Sequence, residues 1–348
     1  MRVVITGAAG FIGSRLSEMF LDDAERLGYD DIVLLDALTY SGRLENLEVA
    51  LRDPRARFVK GSITDELVTD EVLDGAHAVL HLAAESHVDR SITGARVFYE
   101  TNVLGTQQLL ESAARRGVER FVHVSTDEVY GSIESGAWRE DHILEPNSPY
   151  SSSKAGSDLA ALAYHRTFGL NVMVTRCSNN YGPRQFPEKL IPLFVTNLFD
   201  GQKVPLYGDG LNVRDWLFVD DHCRGILLVL AGGRPGEIYN IGGGTQCENI
   251  QLVHMLCRIV DAYLQSTQAL SEQFPDSAVA HGECSERLVR YVKDRPGHDR
   301  RYAIDSAKIE RELGYRPQIA LEAGLRATVA WYLERADTLR TGWQRTLS

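Results

Sequence analysis

The chain has 348 residues, 44% of them hydrophobic and 24% charged, with a formal net charge of −11. That length supports one large or two ordinary domains with a substantial core, and the acidic balance excludes nucleic acid or an anionic membrane as partner, since either selects a basic surface. Five cysteines without paired spacing read as reduced thiols of a cytoplasmic protein; we expect no metal site, no signal peptide and no membrane span.

Short runs rich in Val, Ile, Leu and Phe at 2–6, 31–35, 56–59, 77–82, 119–124 and 171–176 predict strands buried on both faces. Helix-like stretches lie among them at 12–27, 95–116 and 150–168. This alternation predicts an α/β fold with a Rossmann-like, doubly wound parallel sheet. After residue 176 the rhythm weakens and Pro, Gly and Asn punctuate the chain, as in Asn179-Asn180-Tyr181-Gly182-Pro183 and Gly242-Gly243-Gly244. We therefore expect a nucleotide-binding domain over 1–176, a smaller C-terminal α/β substrate lobe over 177–336 with some segments returning to the sheet, and a tail over 337–348.

The first strand runs into Gly7, Gly10 and Gly13, spaced GxxGxxG, and then a helix. Glycines let the backbone turn tightly and let phosphate oxygens approach, and the helix start offers unpaired N–H groups to a pyrophosphate. Asp36 ends the second strand about twenty residues later. A carboxylate there accepts hydrogen bonds from ribose hydroxyls and repels a 2′-phosphate, which favours NAD over NADP.

Two further motifs carry chemistry. Asp127 and Glu128 follow the strand at 119–124, on the side where open α/β sheets bind ligands. Read alone they are as well explained as a solvated acidic pair; read by position, they are two carboxylates whose pKa values can separate into an acid and a base. Thr126 beside them can hydrogen-bond a substrate oxygen. Tyr150 and Lys154 are four apart and share a helix face. A nearby ammonium and a nicotinamide cation both favour the phenolate that an alcohol oxidation requires. That helix is expected to start near Asn147 or Ser148 with Pro149 in its first turn. His81, His87 and His123 read as structural residues.

In its motifs the chain resembles the extended short-chain dehydrogenase/reductase family, and within it the dTDP-glucose 4,6-dehydratases. The matching stretches are TGAAGFIGS (6–14), DALTY (36–40), LAAESHVDRS (82–91), TNVLGT (101–106), STDEVYG (125–131), YSSSK (150–154), RCSNNYGPRQFPEKL (176–190), Arg214-Asp215-Trp216 and RPGHDRRYAID (295–305). The adjacent Asp-Glu discriminates: similar epimerases generally lack both acids, and nucleotide-sugar decarboxylases and GDP-mannose dehydratases tend to show Ser-Glu. The resemblance implies a hydro-lyase of deoxysugar biosynthesis that holds NAD tightly and recycles it within each turnover. Tyr150 and Lys154 would serve C4 oxidation, Glu128 would take the C5 proton, Asp127 would protonate the departing C6 hydroxyl, and Thr126 would polarise the C4 oxygen. Cofactor contacts would come from Gly7, Gly10, Phe11, Ile12, Gly13, Asp36, Leu38, Thr39, Ser62, Ile63, Leu82, Ala83, Ala84, Ser86, Thr101, Tyr150 and Lys154.

Substrate contacts implied by the same resemblance are Ser86, Thr126, Asn179, Lys189, Leu190, Pro205, Tyr207, Arg214, Asn249, Arg295 and His298. Arg214 and Arg295 suit a pyrophosphate, because guanidinium pairs bidentately with its oxygens; each also reads as a surface ion pair. A homodimer through the helices near 95–116 and 150–168 is implied as well. The sequence departs from the family at Ser62, where an Asp commonly touches adenine, and at Ala95, where Pro is frequent. A dehydratase or epimerase for a UDP-linked sugar, and a catalytically silent NAD-binding protein, are the alternative readings.

Overall fold

Val3 and Ile5 bury into one apolar cluster and Val4, between them, into another. A strand with both faces buried must be apolar without interruption, and this strand lies inside such a sheet. The structure is a computed structural model that describes residues 1–337 and 339. Its strands are β1 (Arg2–Thr6), β2 (Asp31–Asp36), β3 (Ala56–Lys60), β4 (Ala76–His81), β5 (Arg120–Thr126), β6 (Val172–Cys177), β7 (Asn179–Tyr181), β8 (Val204–Tyr207), β9 (Val213–Phe218), β10 (Ile238–Ile241), β11 (Gln246–Glu248) and β12 (Val289–Val292). Seven of them form one sheet in the order β10-β6-β5-β4-β1-β2-β3, parallel throughout. The strand order reverses between β1 and β4, and ligands of such sheets bind in the crevice beyond that point.

The doubly wound sheet is as expected, and its first six strands begin and end within two residues of the predicted runs. β10 comes from beyond residue 176 and pairs with β6. The other late strands make two small sheets, β11-β9-β7 and β12-β8. Around them the helices Leu190–Phe199, Asn249–Gln265 and Leu321–Glu334 pack on one another.

The helix Phe11–Leu27 stops at Gly28, whose φ of 80° is left-handed. The helix Pro149–Phe168 begins as expected: Ser148 caps it, Ser151 returns the bond to complete a capping box, and Pro149 stands in its first turn. The stretch expected as one helix over 95–116 is instead three segments, Arg96–Tyr99, a π-helical Glu100–Gly105 and Thr106–Arg116. Within the π segment the Asn102 side chain bonds two neighbours. Its Oδ1 accepts from Glu85 N at 2.8 Å, and its Nδ2 donates to Glu85 O at 3.0 Å and Ser153 Oγ at 2.9 Å. Short helices at Glu66–Leu73 and Val88–Thr93 were not legible as periodic runs; side chains of Asp65 and His87 cap them. Ala95, in place of the family's proline, has a φ of −65°, the angle a proline would hold. Among the described residues no helix is long and apolar enough to cross a membrane. The expected tail lies outside the described residues apart from 337 and 339.

Candidate active site

A cavity of about 330 Å³ opens beyond the ends of β1, β2, β4, β5 and β6. The glycine loop forms its floor. Gly7 has a φ of 67°, and a Cβ added to it would lie 2.7 Å from Ala83 N; one on Gly13 would strike the Gly7 carbonyl. Gly10 precedes the helix Phe11–Leu27 and supplies no capping side chain, so the helix start faces the cavity with backbone donors. Phe11 and Ile12 line the same floor, and Leu82, Ala83 and Ala84 the wall beyond β4.

Asp36 lies at the far end of this floor. Ala9 N donates to its Oδ2 at 2.9 Å and Leu38 N to its Oδ1 at 2.7 Å. An ionised carboxylate has about four acceptor positions, so these two bonds orient it and leave capacity for ribose hydroxyls. Leu38 is not part of the cavity lining. Its backbone, at a left-handed φ of 52°, serves to aim that N–H at Asp36. Thr39, Ser62, Ile63, Ser86 and Thr101 all line the cavity, Thr101 from the π-helical segment. Ser62 Oγ lies 2.8 Å from Thr64 Oγ1 and accepts from Thr64 N at 3.2 Å. Glycine cradle, exposed helix start and oriented acid together fit a dinucleotide without a 2′-phosphate.

The candidate reacting groups meet at the other end of the cavity, where β5 runs into the one-turn helix Asp127–Tyr130. Thr126 Oγ1 accepts from Glu128 N and caps that turn. Asp127 is buried, and its Oδ2 has no hydrogen-bond partner among the described residues. Burial first, then the Glu128 and Asp215 carboxylates, push its carboxyl well above the ordinary range. Burial also raises Glu128, but Lys189, Arg295 and Arg214 oppose it. Both carboxyls are therefore raised, Asp127 further than Glu128, and the three cations favour the ionised form of Glu128, a separation in the direction an acid–base pair needs.

Lys154 Nζ donates to the Val124 carbonyl at 2.9 Å. Burial lowers this ammonium. The expected depression of the Tyr150 phenol does not appear here: burial, then Glu128 and Cys177, hold it well above its ordinary value, with a Thr126 hydrogen bond acting the other way. His81 and His123 are buried structural residues as expected; His81 sits between Thr6 Oγ1 at 2.8 Å and Thr106 Oγ1 at 2.9 Å.

The remaining predicted contacts divide. Asn179 and Lys189 line the cavity, and Lys189 Nζ donates to Ser86 O at 2.7 Å. Leu190, Pro205, Tyr207, Arg214, Asn249, Arg295 and His298 lie outside its lining. Arg214 on β9 is no surface ion pair: it is buried, donates to the Asp299 carbonyl at 2.9 Å and stacks 4.3 Å from the Tyr302 ring centroid. Arg295 does pair with Asp89, at 3.3 Å. His298 meets Asp294 at 2.6 Å and the Tyr207 ring edge-on. Leu190 opens the helix Leu190–Phe199, Pro205 pairs with Arg290 on β12, and Asn249 starts the helix Asn249–Gln265. Asn179 Oδ1 and Asn249 Oδ1 are buried without a hydrogen-bond partner among the described residues. Lys189, Arg214 and Arg295, from three separate segments, all act on Glu128 and give an acidic protein a local concentration of positive charge beside the cavity.

Sequence reasoning did not assign several cavity residues: Tyr40, Glu85, Cys177, Phe186 and Glu188. All fall inside the motifs that carried the resemblance. Tyr40 packs edge-on to Phe186, with the Arg90 guanidinium 3.8 Å over its ring.

The family described as GDP-mannose 4,6 dehydratase matches residues 4–328. A dTDP-glucose 4,6-dehydratase of Streptomyces antibioticus is 53% identical over 99% of this chain and 95% of its own. Another, of Streptomyces griseus, is 55% identical over 95% of this chain and 93% of its own. The chain belongs to the dTDP-glucose 4,6-dehydratase family. The dTDP-glucose 4,6-dehydratase DesIV of Streptomyces venezuelae, solved with NAD bound, superposes with a TM-score of 0.88 at 56% identity, covering 97% of this chain and 98% of that one. A UDP-glucose 4-epimerase of Thermotoga maritima shares the fold with a TM-score of 0.83 at 30% identity, covering 97% of this chain and 100% of that one.

Proposed function

We propose that this protein converts dTDP-glucose to dTDP-4-keto-6-deoxyglucose and water, as an NAD-dependent hydro-lyase. The observation that carries the proposal is the Asp127–Glu128 pair lining the same cavity as Tyr150 and Lys154, with burial raising both acids and three cations countering the rise at Glu128. Gly7, Gly10, Gly13 and Asp36 would hold NAD, which when bound accepts hydride from C4 and returns it to C6, unchanged over the cycle. Tyr150, assisted by Lys154, takes the proton of the C4 hydroxyl while Thr126 bonds that oxygen. The resulting ketone acidifies C5–H, and Glu128 accepts that proton. Asp127 gives its proton to the C6 hydroxyl, which leaves as water. Glu128 then gives its proton back to C5. Lys189, Arg214 and Arg295 supply the positive wall for the nucleotide diphosphate, so that residues 1–176 serve mainly the cofactor and residues 177–336 mainly the sugar nucleotide.

The protein works in the cytoplasm as a homodimer on this reading. The supporting feature is the exposed apolar set Val97, Tyr99, Leu104 and Leu159 on the two helical runs 96–116 and 149–168, which pack side by side.

The test is to incubate the purified protein with dTDP-glucose, adding no NAD, and to follow the sugar by mass spectrometry. Loss of one water is expected. No loss even after NAD⁺ is added refutes the assignment, and water loss from a UDP-sugar in its place moves the substrate to that class.

A further inference from the structure

Asp158 lies one helical turn beyond Lys154, and both side chains are buried, Asp158 completely. Its carboxylate meets Arg176 Nε on β6 at 2.9 Å and His123 Nε2 on β5 at 3.3 Å. Arg176 in turn lies 4.7 Å from the ring centroid of Tyr130, which ends the acidic turn. None of these four groups has a part in the chemistry above. One carboxylate therefore faces two buried cations, Lys154 on its own helix face and Arg176 on the neighbouring strand. His123 is neutral, held down at about 4 by burial and by Lys154.

We infer that Asp158 is a positioning residue whose negative charge keeps the Lys154 ammonium protonated in a water-excluded site, and so makes Tyr150 a better base; the inference rests on the proposed roles of Tyr150 and Lys154. A buried ammonium loses its proton unless an anion faces it. The hydrogen-bond acceptor of Lys154 is a neutral carbonyl, that of Val124. Burial lowers Lys154, and the first group to oppose it is Asp158. Asp158 itself stays ionised: burial raises it, but Arg176 and His123 bring it down to about 2. Among the described residues the other titratable groups facing this end of the site are Tyr150 on the same helix, Asp127 and Glu128 after β5, Cys177 on β6 and the buried His81 on β4, which Lys154 also touches electrostatically.

The test is the pH profile of kcat/KM for dTDP-glucose, whose acidic limb reports groups of the free enzyme; Asp127 and Glu128 are intact in every variant compared. Asp158→Asn leaves Lys154 less charged and the phenolate less stabilised. The acidic limb is expected to move alkaline by about one pH unit or more, with about tenfold loss near neutrality regained at high pH. Asp158→Glu is expected to return the limb to its wild-type place. Because Asp158→Asn strands a buried arginine, the double variant Asp158→Asn with Arg176→Met removes both charges together, a change that buried pairs tolerate, and is expected to show the same shift. A loss uniform across pH, an unmoved limb in the folded double variant, or loss of fold in both variants overturns the inference. Wild-type protein that does not turn over dTDP-glucose refutes the functional reading and this inference with it; wild-type turnover with an unmoved limb refutes this inference alone.

Discussion

Glu128 N donates to Thr126 Oγ1 at 3.3 Å, so the hydroxyl that caps the acidic turn also fixes where its two carboxylates point. Glu128 is left facing Lys189, Arg214 and Arg295, which favour its ionised form. Glu128→Gln keeps the shape and removes the base. It is expected to allow C4 oxidation but stall there, so that reduced cofactor accumulates on mixing with dTDP-glucose and water loss falls about 100-fold or more. Absorbance of the reduced cofactor in a single-turnover experiment checks this; full turnover by the variant contradicts the role.

Asp127 has stability as well as chemistry attached to its proton. Its folded pKa lies well above the unfolded value of about 3.9. At neutral pH the folded chain therefore holds a proton that the unfolded chain has released. The contribution is complete below the unfolded value and is lost as pH climbs through the folded one. Asp127→Asn removes this loss: the melting temperature is expected to rise by about 2 °C or more near neutrality and to change little below about pH 4, while dehydration collapses. Calorimetric melting at the two pH values decides it; equal shifts at both would show that the proton is not the cause.

Ser62 stands where the family commonly has an aspartate. Its Oγ already accepts from Thr64 N at 3.2 Å, a turn that an Asp side chain makes equally well. Ser62→Asp is therefore accommodated and adds a charged acceptor at the cavity wall. We expect NAD⁺ to bind about three- to tenfold tighter, from a gain of about 1 kcal/mol. Isothermal titration of cofactor-free protein measures this directly, and unchanged or weaker affinity refutes it.

Leu104 is 59% exposed and Leu159 57% exposed, each on one of two helical runs that pack together. A soluble chain leaves such side chains open where another surface covers them. Changing both to Glu is expected to convert dimer to monomer in light scattering, with the circular dichroism of the fold retained. A wild-type protein that is already monomeric removes the proposal.

The sequence by itself determined the sheet and the local chemistry. Unbroken Val, Ile and Leu runs such as Val3-Val4-Ile5 have one stable use in a soluble α/β chain, a strand buried on both faces, and the glycines after β1 have one in that context, a close turn before a helix. Ser148 and Pro149 marked a helix start because capping is local. The Asp127–Glu128 and Tyr150–Lys154 pairs were legible because adjacency and a four-residue spacing survive in any fold. What only the tertiary structure decided depends on residues far apart in the chain. The π-helical segment at Glu100–Gly105, in which the Asn102 side chain bonds Glu85 and Ser153, is announced by no periodicity. β10 closes the sheet edge against β6 from the second half of the chain. The separation of Asp127 and Glu128 towards acid and base comes from burial and from the charges of Lys189, Arg214 and Arg295. A charge's effect depends on distance and on the dielectric around it, and packing alone sets both.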